Sequence, residues 1–169
     1  MNKAVFAIAL AGALSVATGA QAQAPEYAAA EPKIELNHFM MALSVADMEA
    51  VTAFYVDVLD FEVVKDAPLG DAMHFRWLKN GTQGIELVRM ANSQPGPERG
   101  APPAHLEVRG PGQLMMEVAD IEATKAQLLA KGVTPDVDIT DLTAALGIKV
   151  MFVIDPEGNL IELVQVMDE

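Results

Sequence analysis

Cysteine is absent from the 169-residue chain. That excludes disulfides, thiolate metal sites, a cysteine nucleophile and attachment as a lipoprotein, while leaving the compartment open. Basic residues are scarce: 11 Lys and Arg stand against 24 Asp and Glu, a formal net charge of −13, and no Lys/Arg run occurs. Such a surface repels phosphate backbones and anionic headgroups, so neither nucleic acid nor a membrane surface is an expected partner. No phosphate-binding glycine loop, Gly-x-Ser-x-Gly elbow or His-Glu-x-x-His helix appears.

What remains is globular in composition, with 51% hydrophobic and 21% charged residues. The N-terminus has its own character. Lys3 is followed by an uncharged apolar run from Ala4 to Ala17, then by Ala20-Gln21-Ala22. The run is well short of the ~20 residues that span a bilayer as a helix. Small residues at 20 and 22 suit a signal peptidase, so residues 1–22 read as a cleavable signal peptide rather than an uncleaved anchor. The expectation is a periplasmic or secreted protein with no membrane attachment after cleavage. Residues 23–33, rich in Ala, Pro and Glu, read as a flexible leader.

From Ile34 the pattern becomes regular. Leu36 to Val45 reads as a largely buried strand. Asp47 opens a helix in which Met48, Val51, Phe54, Tyr55, Val58 and Leu59 recur at helical spacing. Asp60 stands where a chain leaving a helix turns left-handed. Phe61 to Lys65, Met73 to Leu78 and Gly84 to Met90 read as strands, with Asn80-Gly81 as a hairpin turn. Residues 91–112 carry five prolines and four glycines. They read as a linker or flap, with a short strand at His105 to Val108.

The second half repeats the first. Val118-Ala119-Asp120-Ile121-Glu122-Ala123 echoes Val45-Ala46-Asp47-Met48-Glu49-Ala50, and Ile161-Glu162-Leu163-Val164 repeats Ile85-Glu86-Leu87-Val88. A period this long, present twice, indicates tandem duplication of one β-α-β-β-β unit. The second helix stops at Lys131-Gly132, and Asp141 to Leu146 reads as a short extra helix.

These stretches, with Phe54-Tyr55, Val58-Leu59-Asp60-Phe61 and Asp155-Pro156-Glu157-Gly158-Asn159-Leu160-Ile161-Glu162-Leu163, resemble the glyoxalase/bleomycin-resistance/dioxygenase (vicinal oxygen chelate) superfamily. The resemblance covers about Ile34 to Met167. It implies an α+β fold of two tandem βαβββ modules, residues 34–90 and 113–169, forming a curved, open, barrel-like mixed sheet. It also implies a small-molecule ligand or substrate and a homodimer, since family members pair or swap modules.

For the site, the resemblance puts carboxylates at Glu86 and Glu162, on the last strand of each module. Strand alternation also allows each simply to face solvent. The first-strand positions are Met40 and Gln113, where the family usually has His. Gln113 keeps a usable amide oxygen, whereas a Met thioether suits oxygen-loving ions poorly. His38 is either a ligand brought in by a bulge or an exposed residue ahead of the strand. The implied metal set is therefore Glu86, Gln113, Glu162 and His38, holding a divalent ion (Zn, Ni, Mn or Fe), with Glu162 doubling as catalytic base. His74, in a strand of the first module, either lines the cavity or faces water, and His105, in the Pro/Gly-rich segment, is placed to close over a ligand. Two functions follow: a metal-dependent lyase or isomerase acting on a small carbonyl substrate, or a metal-free sequestering protein of the bleomycin-resistance type. The missing His ligands favour the second, while Glu86, Glu162 and Gln113 favour the first.

Overall fold

The computed structural model describes residues 37–167. The expected signal peptide and leader lie outside the described residues. Two four-stranded mixed sheets share one plan. Strands β1 (Met41–Ser44), β2 (Glu62–Leu69), β3 (Met73–Asn80) and β4 (Gln83–Met90) form the first, in the order β1-β4-β3-β2. Strands β5 (Leu114–Glu117), β6 (Val137–Asp141), β7 (Ile148–Ile154) and β8 (Leu160–Val166) form the second, in the order β5-β8-β7-β6. In each sheet the first strand pairs parallel to the last and the other pairs are antiparallel. The sheets do not close on one another.

Helix α1 (Met48–Ala53) runs on into a π-helical turn (Phe54–Val58), and α2 (Ile121–Ala130) occupies the matching place in the second unit. Both start in the same way. The Asp47 carboxylate accepts from the Glu49 and Ala50 amides at 3.1 and 3.0 Å, and Asp120 does the same for Glu122 and Ala123 at 3.0 Å each. These caps satisfy amide groups that have no partner within a helix. A short α3 (Thr143–Leu146) precedes β7. Among the described residues, no helix is long and apolar enough to cross a membrane.

Alternation within the strands sorts the side chains. Ile85, Leu87, Ile161 and Leu163 point to the helix side and join Val51, Tyr55, Ile121 and Leu128 in one core that both sheets share. Opposite that core, the second sheet buries a smaller cluster of Val150, Phe152 and Val164.

Three local expectations change. The first strand is shorter than Leu36 to Val45, beginning only at Met41. The hairpin turn is Gly81-Thr82 rather than Asn80-Gly81, because Asn80 still pairs with Gln83. Gly81 takes the positive φ of 56° at the first turn position, which suits a type II′ turn. The segment read as a short strand at His105 to Val108 is instead a 3₁₀ turn, Ala104–Glu107. Asp60 does adopt the left-handed conformation, at φ 55°.

Candidate functional site

The site grows from the middle of β8. Ile161 and Leu163 are buried in the core, so Glu162 between them faces the opposite side of the sheet. Met115 of β5 lies opposite Glu162 in the ladder, and Gln113, two residues earlier, shares that face. The Gln113 amide nitrogen donates to Glu162 Oε2, and Gln113 Oε1 meets His105 Nε2. A turn of the linker delivers His105. Arg99 Nη1 donates to the carbonyls of His105 at 2.9 Å and Val108 at 2.7 Å, pinning that turn. Gly112 lets it pack close, since a Cβ there would meet Leu106 Cδ2 at 2.8 Å. The His105 ring then stands edge-on to Phe152, with centroids 6.2 Å apart.

The chemistry of this chain orders its protons. An ionised carboxylate only accepts, so Gln113 turns its NH₂ toward Glu162 and its oxygen toward His105. An amide oxygen also only accepts, so His105 Nε2 carries the hydrogen. In the neutral ring Nδ1 is then a bare acceptor, and this buried atom has no hydrogen-bond partner among the described residues. Burial pushes the Glu162 carboxyl above the ordinary carboxylate value, and the nearby His105 partly offsets the rise.

The matching position in the first sheet is occupied differently. Glu86 also alternates with core residues, Ile85 and Leu87, and so lies opposite the core. Its Oε1 accepts from the Trp77 indole at 2.8 Å. Met40 sits against Gly84, where a Cβ would come within 2.6 Å of Met40 Cγ. A small cleft of about 120 Å³ separates the start of β1 and β4 from β5, with Met41, Gly84, Gln113 and Met115 among its walls.

Of the residues singled out from the sequence, Gln113 and Glu162 meet. His105, read from the sequence as a linker residue that closes over a ligand, joins them directly. Glu86 belongs to the separate pair with Trp77. His38 is exposed ahead of β1. His74 faces the core side instead of lining the site. Its Nε2 lies 2.5 Å from Asp66 Oδ1, beside buried Arg76, whose guanidinium bonds Asp66 at 2.9 Å, Thr52 at 2.9 Å and both oxygens of Glu49 at 3.0 Å. Sequence reasoning passed over Trp77. The available signal was its place in an alternating strand, opposite a carboxylate.

The chain belongs to the Glyoxalase/Bleomycin resistance protein/Dioxygenase superfamily, whose family model matches residues 35–163. No curated protein matches it. Among solved structures it is similar to SMU.1112c, with 28% identity and a TM-score of 0.61 over 78% of this chain and 99% of that one. It is also similar to a glyoxalase family protein from Enterococcus faecalis, with 28% identity and a TM-score of 0.56 over 77% of this chain and 96% of that one. TnmS3, an antibiotic binding protein from Streptomyces sp. CB03234, shares the fold at 24% identity and a TM-score of 0.56, over 80% of this chain and 99% of that one.

Members of this superfamily often use divalent metals. The donors here do not fit such an ion. Met40 offers a thioether where a hard ligand is needed, Trp77 engages Glu86, and the Gln113 oxygen is turned to His105. Among the described residues, no three His, Asp or Glu side chains gather as a metal site.

Proposed function

We propose that this protein binds a small molecule without a metal, in the manner of the sequestering members of its superfamily. The observation that carries this reading is the Glu162–Gln113–His105 chain. Its donors and acceptors engage one another beside buried Phe152 instead of converging on an ion. The formal charge of −13 and the carboxylates at Glu86 and Glu162 favour a cationic ligand. The test is equilibrium dialysis of the mature protein against cationic, neutral and anionic aromatic compounds, with metal content measured on the same sample. Saturable, metal-independent binding of cations is expected. Near-stoichiometric metal that disappears in Glu86→Gln/Glu162→Gln would overturn the reading.

One observation favours a second reading, a lyase or isomerase in which Glu162 moves a proton beside a substrate carbonyl. A carboxyl raised by burial is a stronger base than an ordinary one. Under that reading Glu162→Gln abolishes turnover of a carbonyl substrate and leaves the fold intact. Retained turnover in the variant sinks it.

We also infer export and pairing of two copies. Lys3, the apolar run Ala4 to Ala17 and Ala20-Gln21-Ala22 support export. N-terminal sequencing of the mature protein should begin at Gln23; a retained Met1 contradicts cleavage. The superfamily's habit of completing cavities between modules supports a homodimer, which sedimentation equilibrium tests.

A further inference from the structure

A row of side chains crosses the first sheet on the face opposite the core: Lys65 of β2, Trp77 of β3, Glu86 of β4 and Ala42 of β1 are in register. The sheet goes out of its way to make it. Val63 pairs with Leu78 and Lys65 with Trp77, so a bulge inserts one extra residue between them. Without the bulge Val64 would oppose Trp77. A bulge re-aims a side chain, and here it brings the Lys65 ammonium 4.2 Å from the centroid of the indole ring.

The indole is held from its other side. Its N–H donates to Glu86 Oε1 at 2.8 Å, which fixes the ring, and the second oxygen of that carboxylate has no hydrogen-bond partner among the described residues. The ring itself is only half-buried, and its cover is an exposed lysine on a flexible stem. The corresponding row of the second sheet, Val137, Phe152, Glu162 and Met115, has no indole donor. There His105 stands over Phe152, which is buried. One row is closed and the other is open.

We propose that the Trp77–Glu86 row is a binding platform for a planar aromatic cation. The ligand ring stacks on Trp77, its positive charge pairs with Glu86, and Lys65 is the chain's own stand-in cation, displaced on binding. Ring faces attract cations through their quadrupole, and desolvation strengthens the attraction. The proposal rests on the binding reading above and names the ligand chemistry of one face.

Trp77 is the sole tryptophan, so intrinsic tryptophan fluorescence reports this row alone. The mature protein is titrated with 1-methylquinolinium and, separately, with its neutral isostere 1-methylnaphthalene, while dialysis counts probe bound anywhere. The expected result is saturable quenching by the cation, weaker by about threefold or more for the neutral probe. Lys65→Ala, at an exposed position, tightens the cation several-fold by removing its competitor. Glu86→Gln weakens it. Binding in dialysis with Trp77 silent, or an affinity unchanged in Lys65→Ala, overturns the platform and leaves the general binding reading standing. If this probe is not bound at all, the platform also falls. The broader reading falls only if the whole compound panel fails as well.

Discussion

Glu157 Oε1 accepts hydrogen bonds from the backbone amides of Ala46, at 2.6 Å, and Asp47, at 2.5 Å. The last hairpin turn thus caps the start of the first helix from the other end of the chain. Asp155 shapes that turn. Its carboxylate accepts from the Glu157 amide at 3.0 Å, and from the Asn159 amide and side chain at 2.8 Å each. The family-like Asp-Pro-Glu-Gly-Asn stretch therefore works here as a clasp between the two units.

Removing the clasp should cost stability in two sizes. Glu157 is exposed, so Glu157→Ala should lose about 1 kcal/mol, the usual worth of a helix cap. Asp155 is buried, and Asp155→Ala strands several donors, so a loss of about 3 kcal/mol is expected. Urea unfolding measures both. Equal losses would contradict the division of labour.

The shared core makes a sharper demand. Leu87 is fully buried between the first sheet and α1, so Leu87→Ala should cost roughly 2–5 kcal/mol. A loss under about 1 kcal/mol in thermal or urea unfolding would mean the site had collapsed around the void.

Acid should loosen the Arg76 cluster. The Arg76 guanidinium holds the Glu49 carboxyl below its ordinary value, and Arg76 with His74 does the same for Asp66. A depressed folded value stabilises above the unfolded carboxylate value, near pH 4, and that stabilisation is lost as pH falls through the folded value. Both carboxylates are well exposed, so the effect is modest, about 1 kcal/mol or less. Stability followed from about pH 5 down to pH 2 should fall less steeply in Arg76→Met than in the wild type. Parallel curves would refute the linkage.

Metal should do little. A divalent ion at 100 times its dissociation constant would add about 2.7 kcal/mol of stability. With Glu86 held by Trp77, the Gln113 oxygen turned to His105 and His38 exposed ahead of β1, Zn, Ni, Mn and Fe should each leave the midpoint of thermal unfolding unchanged. A rise abolished by Glu162→Gln would restore the metal site.

The duplication, the order of strands and helices, and the alternation of Glu86 and Glu162 with apolar neighbours were legible in the sequence. All of them follow from short-range periods: two for a strand, near 3.6 for a helix, and one long repeat that says the same thing twice. The meetings between side chains were not. His105 reaches Gln113 only because Arg99 and Gly112 fold the irregular linker back onto the second sheet, and no period describes that path. Lys65 faces Trp77 only because a bulge shifts β2 by one residue, and Trp77 finds Glu86 only through the register set at Gly81-Thr82. Local pattern determines which residues share a face. Which of them touch depends on register, bulges and loop packing, and those are settled by the whole chain at once.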